Sequence, residues 1–285
     1  MHKHLSMVLL AVSMACLSAC VNAKIDEAGI YRPVEGGALK ADELAKTAPQ
    51  YTMSSQQVIA RDGAVLNGVL LSQENARATV LFFGGNGFTL EKSSPVAELF
   101  SDFDVDLVMF DTRGYGTSAA ENEAPTVAAL MTDGEDIFDN IMSTLEPSES
   151  KIIVHGHSMG SFVAGHVAAT RPVTGVVLQS SATTTQDFAK GMIPWFMKPV
   201  VKLDIAESLK GQGNLKNMPL IDEPLLVIVG ADDKQTVPSM SVKLFEASPL
   251  PDNRKSLAVI KDAGHNDIFK QKEALEAYET FLSKL

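Results

Sequence analysis

The fold of this chain is decided by residues 151–170, which read KIIVHGHSMGSFVAGHVAAT. The run Lys151–His155 predicts a buried strand, and Ser161–Thr170, rich in small residues, predicts a helix. Between them lies Gly156-His157-Ser158-Met159-Gly160. A side chain can stand up at so sharp a turn only if its neighbours two positions away are small, because larger ones would collide with the strand or the helix. The stretch therefore predicts that the Ser158 hydroxyl is raised out of a sheet.

Strands alternate with helices on both sides of this stretch. The other predicted strands are Gln57–Ala60, Val65–Ser72, Ala78–Phe83, Val105–Phe110, Gly175–Gln179, Leu225–Val229 and Ser256–Ile260. The other predicted helices are Glu91–Ser101, Thr126–Leu145, Pro238–Ala247 and Lys270–Leu285. Short continuous apolar runs are typical of strands buried on both faces. We therefore predict one α/β domain over residues 56–285, with a mostly parallel central sheet and helices on both faces.

One segment, residues 182–223, breaks this alternation and shows no clear strand. It contains the strongly apolar stretch Met192–Met197. We interpret the segment as a small cap insertion that contacts substrate, with ordinary packing helices as the alternative. The apolar stretch suggests an apolar acyl group.

The N-terminus has the pattern of a secretory signal peptide. A lysine near the start precedes an apolar run, Leu5–Leu17, which is too short to span a bilayer. The sequence Leu17-Ser18-Ala19-Cys20 resembles the processing site of bacterial lipoproteins, which implies cleavage after residue 19 and acylation of Cys20. We therefore expect a signal peptide at 1–19 and a tether with a short helix at 20–55.

The resemblance, with Val21 after the cysteine, implies an outer-membrane lipoprotein facing the periplasm and bound to the membrane only through its lipid anchor. A soluble periplasmic protein, cleaved nearby, is the alternative. The chain's two cysteines are Cys16 and Cys20, so the mature domain has no disulfide and no thiolate nucleophile. A formal net charge of −11 argues against a nucleic-acid partner.

A serine hydroxyl becomes a useful nucleophile only with a base, an acid that orients the base, and donors for the oxyanion. The candidate base is His265, which follows a predicted strand within Ala263–Asp267. The candidate acid lies in Gly230-Ala231-Asp232-Asp233-Lys234, after another strand. The chain order Ser, Asp, His is one of the orders in which such triads occur. Parallel sheets bind ligands at these strand ends, so we expect the three side chains to meet.

The candidate oxyanion donors are two backbone amides. Gly84-Gly85-Asn86-Gly87 follows the strand Ala78–Phe83, and backbone can approach a substrate closely where side chains are absent. We expect one amide from Asn86, with Gly85 as the alternative, and a second from Met159 at the start of the helix after the serine. A tight turn without a catalytic role remains the other interpretation of the glycine loop.

From about residue 56 to 285 the chain resembles the α/β-hydrolase superfamily, in the esterase-like branch with a small cap. The residues that carry the resemblance are Gly84–Gly87, Asp111-x-Arg113-Gly114-Tyr115-Gly116-x-Ser118, the turn Gly156–Gly160 around Ser158 (the serine elbow), Gly230-x-x-Asp233 with Val237-Pro238, and Gly264-His265. The resemblance implies that Asp111–Ser118 is a structural loop near the site. It also places Gly84 where many members have histidine, a change that should leave a backbone donor intact.

The position of the acid stays open at this level. Counting from Gly230 places the family's acid at Asp233, whereas counting back from Val237-Pro238 places it at Asp232. We favour Asp233, because the end of the strand constrains the turn more tightly than the loop that follows.

These observations predict a carboxyl-ester hydrolase that acts on a small-molecule acyl substrate, needs no cofactor and holds no metal. A peptidase, thioesterase or acyltransferase would use the same residues, and a non-catalytic binding lipoprotein is the third possibility. We expect His155, His157 and His166 to be structural or exposed, although His157 could line the pocket. The sequence leaves acyl chain length and oligomeric state undetermined.

Overall fold

The computed structural model describes residues 21–118, 125–144, 151–194 and 196–285. The predicted signal peptide at 1–19 and the predicted lipidation site Cys20 lie outside these ranges. The strands are β1 (Val21–Ile25), β2 (Thr52–Ile59), β3 (Val65–Ser72), β4 (Thr79–Phe83), β5 (Asp106–Phe110), β6 (Ile152–His157), β7 (Gly175–Gln179), β8 (Val201–Ile205), β9 (Leu225–Gly230) and β10 (Lys255–Ile260). The α-helices are α1 (Glu27–Ile30), α2 (Ala41–Thr47), α3 (Ser94–Ser101), α4 (Val127–Thr144), α5 (Gly160–Thr170), α6 (Thr185–Met192), α7 (Pro238–Ala247) and α8 (Lys272–Leu282).

The central sheet has the strand order β10-β9-β7-β6-β4-β5-β3-β2. Its pairs are parallel from β10 to β5, and β3 pairs antiparallel with both β5 and β2. The predicted hairpin joins β2 to β3, where the Ala60 amide donates to the Ala64 carbonyl at 2.8 Å. Gly63 has φ +91° in that turn, a conformation that glycine adopts without strain. The predicted α/β-hydrolase fold with its mostly parallel sheet is confirmed.

Helices cover both faces of the sheet. On one face, side chains of α4, α5 and α7 pack in a core that includes Leu81 of β4. On the other, side chains of α2, α3 and α8 pack in a second core that includes Val80, the preceding residue of β4. Both of these β4 residues are fully buried. Successive strand residues point to opposite faces, so burial on both sides produces the continuous apolar runs seen in the sequence.

The N-terminal segment and the cap differ from the prediction. Residues 21–55 are not a tether, because they form β1, α1 and α2 and bury Tyr31 and Leu44 against the domain. The cap contains a strand, β8, where none was expected, and β8 pairs in parallel with β1. Local sequence does not show this strand because its partner lies 180 residues earlier in the sequence, as in the pair Val21 and Val201. No helix in the described ranges combines the length and apolarity needed to cross a bilayer.

Candidate active site

Ser158 occupies a strained turn between β6 and α5. Its φ is +53°, in the left-handed region that non-glycine residues seldom adopt. A Cβ on Gly156 would lie 2.4 Å from the Gly160 carbonyl oxygen, and a Cβ on Gly160 would lie 2.1 Å from the Phe83 carbonyl oxygen. Both distances are impossible for real side chains, so this backbone path requires the two glycines that flank the serine.

The structure brings Ser158, His265 and Asp233 together at the carboxyl ends of their strands. Ser158 Oγ lies 2.9 Å from His265 Nε2, and His265 Nδ1 lies 2.8 Å from Asp233 Oδ2. Both distances are those of hydrogen bonds. The imidazole thus links the hydroxyl of half-buried Ser158 to a carboxylate whose side chain is fully buried.

Asp233 is held by the turn that follows β9. Its Oδ1 accepts hydrogen bonds from the amides of Gln235 at 2.8 Å and Thr236 at 2.9 Å, and its Oδ2 accepts from the Thr236 hydroxyl at 2.7 Å. Burial acts to raise the pKa of Asp233, but hydrogen bonds from His265 and Thr236 outweigh it and hold the pKa below its ordinary value. Asp232 is exposed, and the carboxylate hydrogen-bonded to His265 is that of Asp233.

Asn86 and Met159, the two expected oxyanion donors, both line the pocket that contains Ser158. Neither amide has a hydrogen-bond partner among the described residues. The Met159 amide precedes the first turn of α5, where backbone N–H groups have no partner within the helix. Gly85 also lies here, since a Cβ on it would be 3.3 Å from Ser158 Cβ. The loop can therefore approach a group bound at the serine.

Gly84, at the position where the resemblance implies histidine in many members, has a packing role. A Cβ at this position would lie 2.2 Å from Cγ of Phe88. The aromatic ring packs directly over the glycine, so no larger residue fits here without moving Phe88.

The Asn86 side chain fixes the loop from behind. Its Nδ2 donates to the Ile30 carbonyl at 2.7 Å, and its Oδ1 accepts from the Tyr115 hydroxyl at 2.7 Å and the Arg32 amide at 3.3 Å. Tyr115 belongs to the Asp111–Ser118 loop, in which buried Asp111 accepts from the Leu90 amide at 2.7 Å. The loop touches no reacting group and positions Asn86 instead.

The three other histidines within the described ranges occupy different environments. His157 lines the pocket, and its Nε2 lies 3.1 Å from the His265 carbonyl oxygen. Burial, with a smaller contribution from the neighbouring His265, lowers the pKa of His157 to about 4, so it donates this bond as a neutral ring. His155 is fully buried beside Gln179, and burial lowers its pKa to about 3. His166 pairs with Glu135 at 2.8 Å, away from the site.

Ser158 opens into a cavity of about 780 Å³, within the range of small-molecule sites. Its apolar lining comes from the core domain, the cap and the N-terminal segment: Ala23, Ile25, Ile30, Phe88, Met159, Phe162, Ala182, Phe188, Ala189, Met192, Ile193, Pro194, Met197, Val201 and Leu203. The charged residues among the described lining are Lys24 and Arg32, and none of the lining residues is acidic.

The sequence interpretation missed the contribution of the N-terminal segment to this cavity. Ala23 and Ile25 of β1 line it, as does Ile30. The available signal was the alternation of small or apolar residues with Asn22 and Lys24, which indicates a strand with one solvated face. No cluster of three or more His, Cys, Asp or Glu residues suited to a metal ion occurs within the described ranges.

Comparisons with known proteins agree with this architecture. Among curated relatives, "Uncharacterized protein Rv2307c" of Mycobacterium tuberculosis is 24% identical over 259 residues, covering 90% of this chain and 86% of its own length. Protein bem46 of Schizosaccharomyces pombe is also 24% identical, covering 71% of this chain and 69% of its own length.

Among solved structures, the Pyrococcus furiosus esterase Pf2001 matches with a TM-score of 0.69 and 20% identity, over 90% of this chain and 98% of the esterase. The Pyrococcus horikoshii acylaminoacyl peptidase matches with a TM-score of 0.61 and 17% identity, over 84% of this chain and 42% of the peptidase. At these identities the likeness shows the shared α/β-hydrolase fold alone. The family model described as "Serine aminopeptidase, S33" matches residues 74–217, half of the chain. The chain therefore belongs to this S33 family of α/β hydrolases.

Proposed function

We propose that this chain is a serine hydrolase that cleaves carboxylic esters, with Ser158 as nucleophile, His265 as base and Asp233 as the acid that orients it. The observation that carries the proposal is the continuous pair of hydrogen bonds from Ser158 Oγ through His265 to Asp233, at 2.9 and 2.8 Å. This relay opens into an apolar cavity rather than lying in the core.

The geometry supports a two-step acyl transfer. Ser158 Oγ attacks the ester carbonyl carbon while its proton passes to His265 Nε2, and the carbonyl oxygen becomes an oxyanion that the amides of Asn86 and Met159 hold. Collapse of this intermediate breaks the bond to the alcohol, which leaves with the proton from His265. Water then attacks the acyl carbon and gives a proton to His265; the bond to Ser158 Oγ breaks, Oγ takes that proton from His265, and the acid is released.

The charge distribution of the cavity favours an ester over the free amino terminus of a peptide. An aminopeptidase must bind the substrate ammonium group, and in an apolar site that cation needs a carboxylate partner. The described lining residues include no aspartate or glutamate, so none of them supplies that partner. A neutral ester meets no such penalty. We therefore place peptidase activity second, although the family's description names an aminopeptidase.

The proposal is tested with Ser158→Ala, a fluorophosphonate probe and a matched substrate set. The parent protein should be labelled at Ser158 and should hydrolyse p-nitrophenyl butyrate, whereas the variant should show neither reaction and an unchanged melting temperature. Leucine p-nitroanilide should be a poor substrate for both proteins. Retained ester turnover in the variant, or preferential cleavage of the anilide by the parent, would contradict the proposal.

We further propose that Cys20 is acylated and that the protein is anchored to the bacterial cell envelope. The lipoprotein-like sequence Leu17–Cys20 supports this proposal. Expression in a Gram-negative host with radiolabelled palmitate should label the parent and bring it to the membrane fraction. Cys20→Ser should remove the label and release the protein, and label retained in that variant would refute the assignment.

A further inference from the structure

β1 and β8 form a separate two-stranded parallel sheet over the cavity, called here the roof. In the roof Ala23 pairs with Leu203, and Ile25 pairs with Ile205. Burial alternates along both strands, so that Ala23 and Leu203 are partly buried whereas Asn22 and Lys202 are exposed. The roof therefore has one apolar face and one solvated face.

The apolar face of the roof lines the same cavity as the nucleophile. Ala23 and Ile25 of β1, with Val201 and Leu203 of β8, border the space into which Ser158 opens. A two-stranded sheet is at best marginally stable unless it packs on something else. Here its inner face lies over a cavity of about 780 Å³, so the surface it offers to a bound molecule is apolar. An acyl chain is the part of an ester that matches such a surface.

We propose that the roof is the acyl-binding wall of the active site, that Ala23 determines the length of acyl chain accepted, and that the substrates are esters of medium-chain and longer fatty acids. This inference rests on the ester hydrolase function proposed above. Ala23 has a smaller side chain than Ile25 on the inner face of β1, so the space beside Ala23 is available for the acyl chain of the substrate. Each methylene buried there should raise kcat/KM by about fourfold until the space is filled.

The test compares the parent with Ala23→Leu, using p-nitrophenyl acetate, butyrate, octanoate and laurate. This substitution replaces a methyl by an isobutyl group in the space where the acyl chain of the substrate would lie. The ratio of kcat/KM for octanoate to that for acetate should therefore fall by about tenfold or more. The matched control is Asn22→Leu, which places the same leucine side chain one residue away on the exposed face and should leave this ratio within about twofold.

A second variant tests the opposite direction and covers a failure of Ala23→Leu to fold. Leu203→Ala, at the residue paired with Ala23, should enlarge the cavity and raise the ratio of kcat/KM for laurate to that for octanoate. An unchanged chain-length profile in every folded inner-face variant, with Ser158 still labelled by fluorophosphonate, would overturn the role of the roof and leave the hydrolase assignment intact. Absence of labelling in the parent would instead overturn the proposed function.

Discussion

Substitution of Asp233 by asparagine is expected to lower kcat by about 10³–10⁴-fold, equivalent to about 4–5.5 kcal/mol of transition-state stabilisation. The substitution keeps the shape of the side chain and removes its negative charge. The contacts of Asp233 determine how the new amide must be oriented. Oδ1 accepts two backbone amides, from Gln235 and Thr236, at 2.8 and 2.9 Å.

Because these two N–H groups are fixed donors, the amide oxygen of the asparagine must occupy the Oδ1 position. Its NH₂ group then takes the Oδ2 position and faces His265 Nδ1, which lies 2.8 Å away in the parent. The imidazole is forced to accept at Nδ1 and to carry its proton on Nε2. In that tautomer Nε2 cannot remove the proton from Ser158, and the magnitude expected is that of a wrong-tautomer triad.

The assay is kcat for p-nitrophenyl butyrate near neutral pH, with folded protein quantified by its thermal transition. Asp232→Asn is the matched control: it makes the same change at the adjacent, exposed carboxylate and should leave kcat within about twofold. If Asp233→Asn stays within tenfold of the parent, or if Asp232→Asn is the impaired variant, the assignment of the acid is wrong.

Three further predictions concern the supporting structure. Asn86→Ala should lower kcat on butyrate about tenfold with little change in KM, because the Gly84–Gly87 loop, which carries the proposed oxyanion donor, loses its bonds to Ile30 and Tyr115. An equal loss for Gly37→Ala, on the exposed surface, would point to a general effect. Arg113→Met should reduce the free energy of unfolding in urea by about 3–5 kcal/mol, because the buried Asp133 carboxylate loses its partner. Adding Asp133→Asn to this variant should recover much of the loss, and no recovery would refute the buried-charge explanation. Burial lowers the pKa of His155 from 6.5 to about 3, so between these pH values the unfolded state binds more protons than the folded state. The free energy of unfolding should therefore fall as the pH falls through this window, with a loss of about 2 kcal/mol at pH 5. His155→Gln should show a flatter decline in melting temperature with acid, and a slope equal to that of the parent would contradict this origin.

Much of the fold could be predicted because its determinants are local. Apolar runs in β4, β6, β7 and β9 reflect burial on both faces, a property that each strand carries in its own residues. The serine elbow could also be predicted from the sequence, because glycine is required at positions 156 and 160 by the close approach of nearby backbone. The observed strand ends differ from the predicted ones where pairing with a neighbouring strand, rather than local preference, decides where a strand begins. For example, β2 begins at Thr52 because Thr52 pairs with Ser72 of β3.

The site residues Ser158, His265 and Asp233 were named from order and position along the chain, but their meeting is a property of the sheet. Choosing between Asp232 and Asp233 required the turn after β9, in which the amides of Gln235 and Thr236 surround one carboxylate and leave the other in solvent. Counting residues cannot show which of two adjacent side chains points inward.

The sequence by itself determined the fold class, the elbow that raises Ser158 and the segments that supply its partners, because short-range sterics and periodicity encode them. Only the tertiary structure decided that β1 pairs with β8 and that the N-terminal segment, expected to be a tether, forms one wall of the cavity. That contact joins residues from opposite parts of the chain, and its stability comes from a shared apolar face that neither five-residue strand could specify alone.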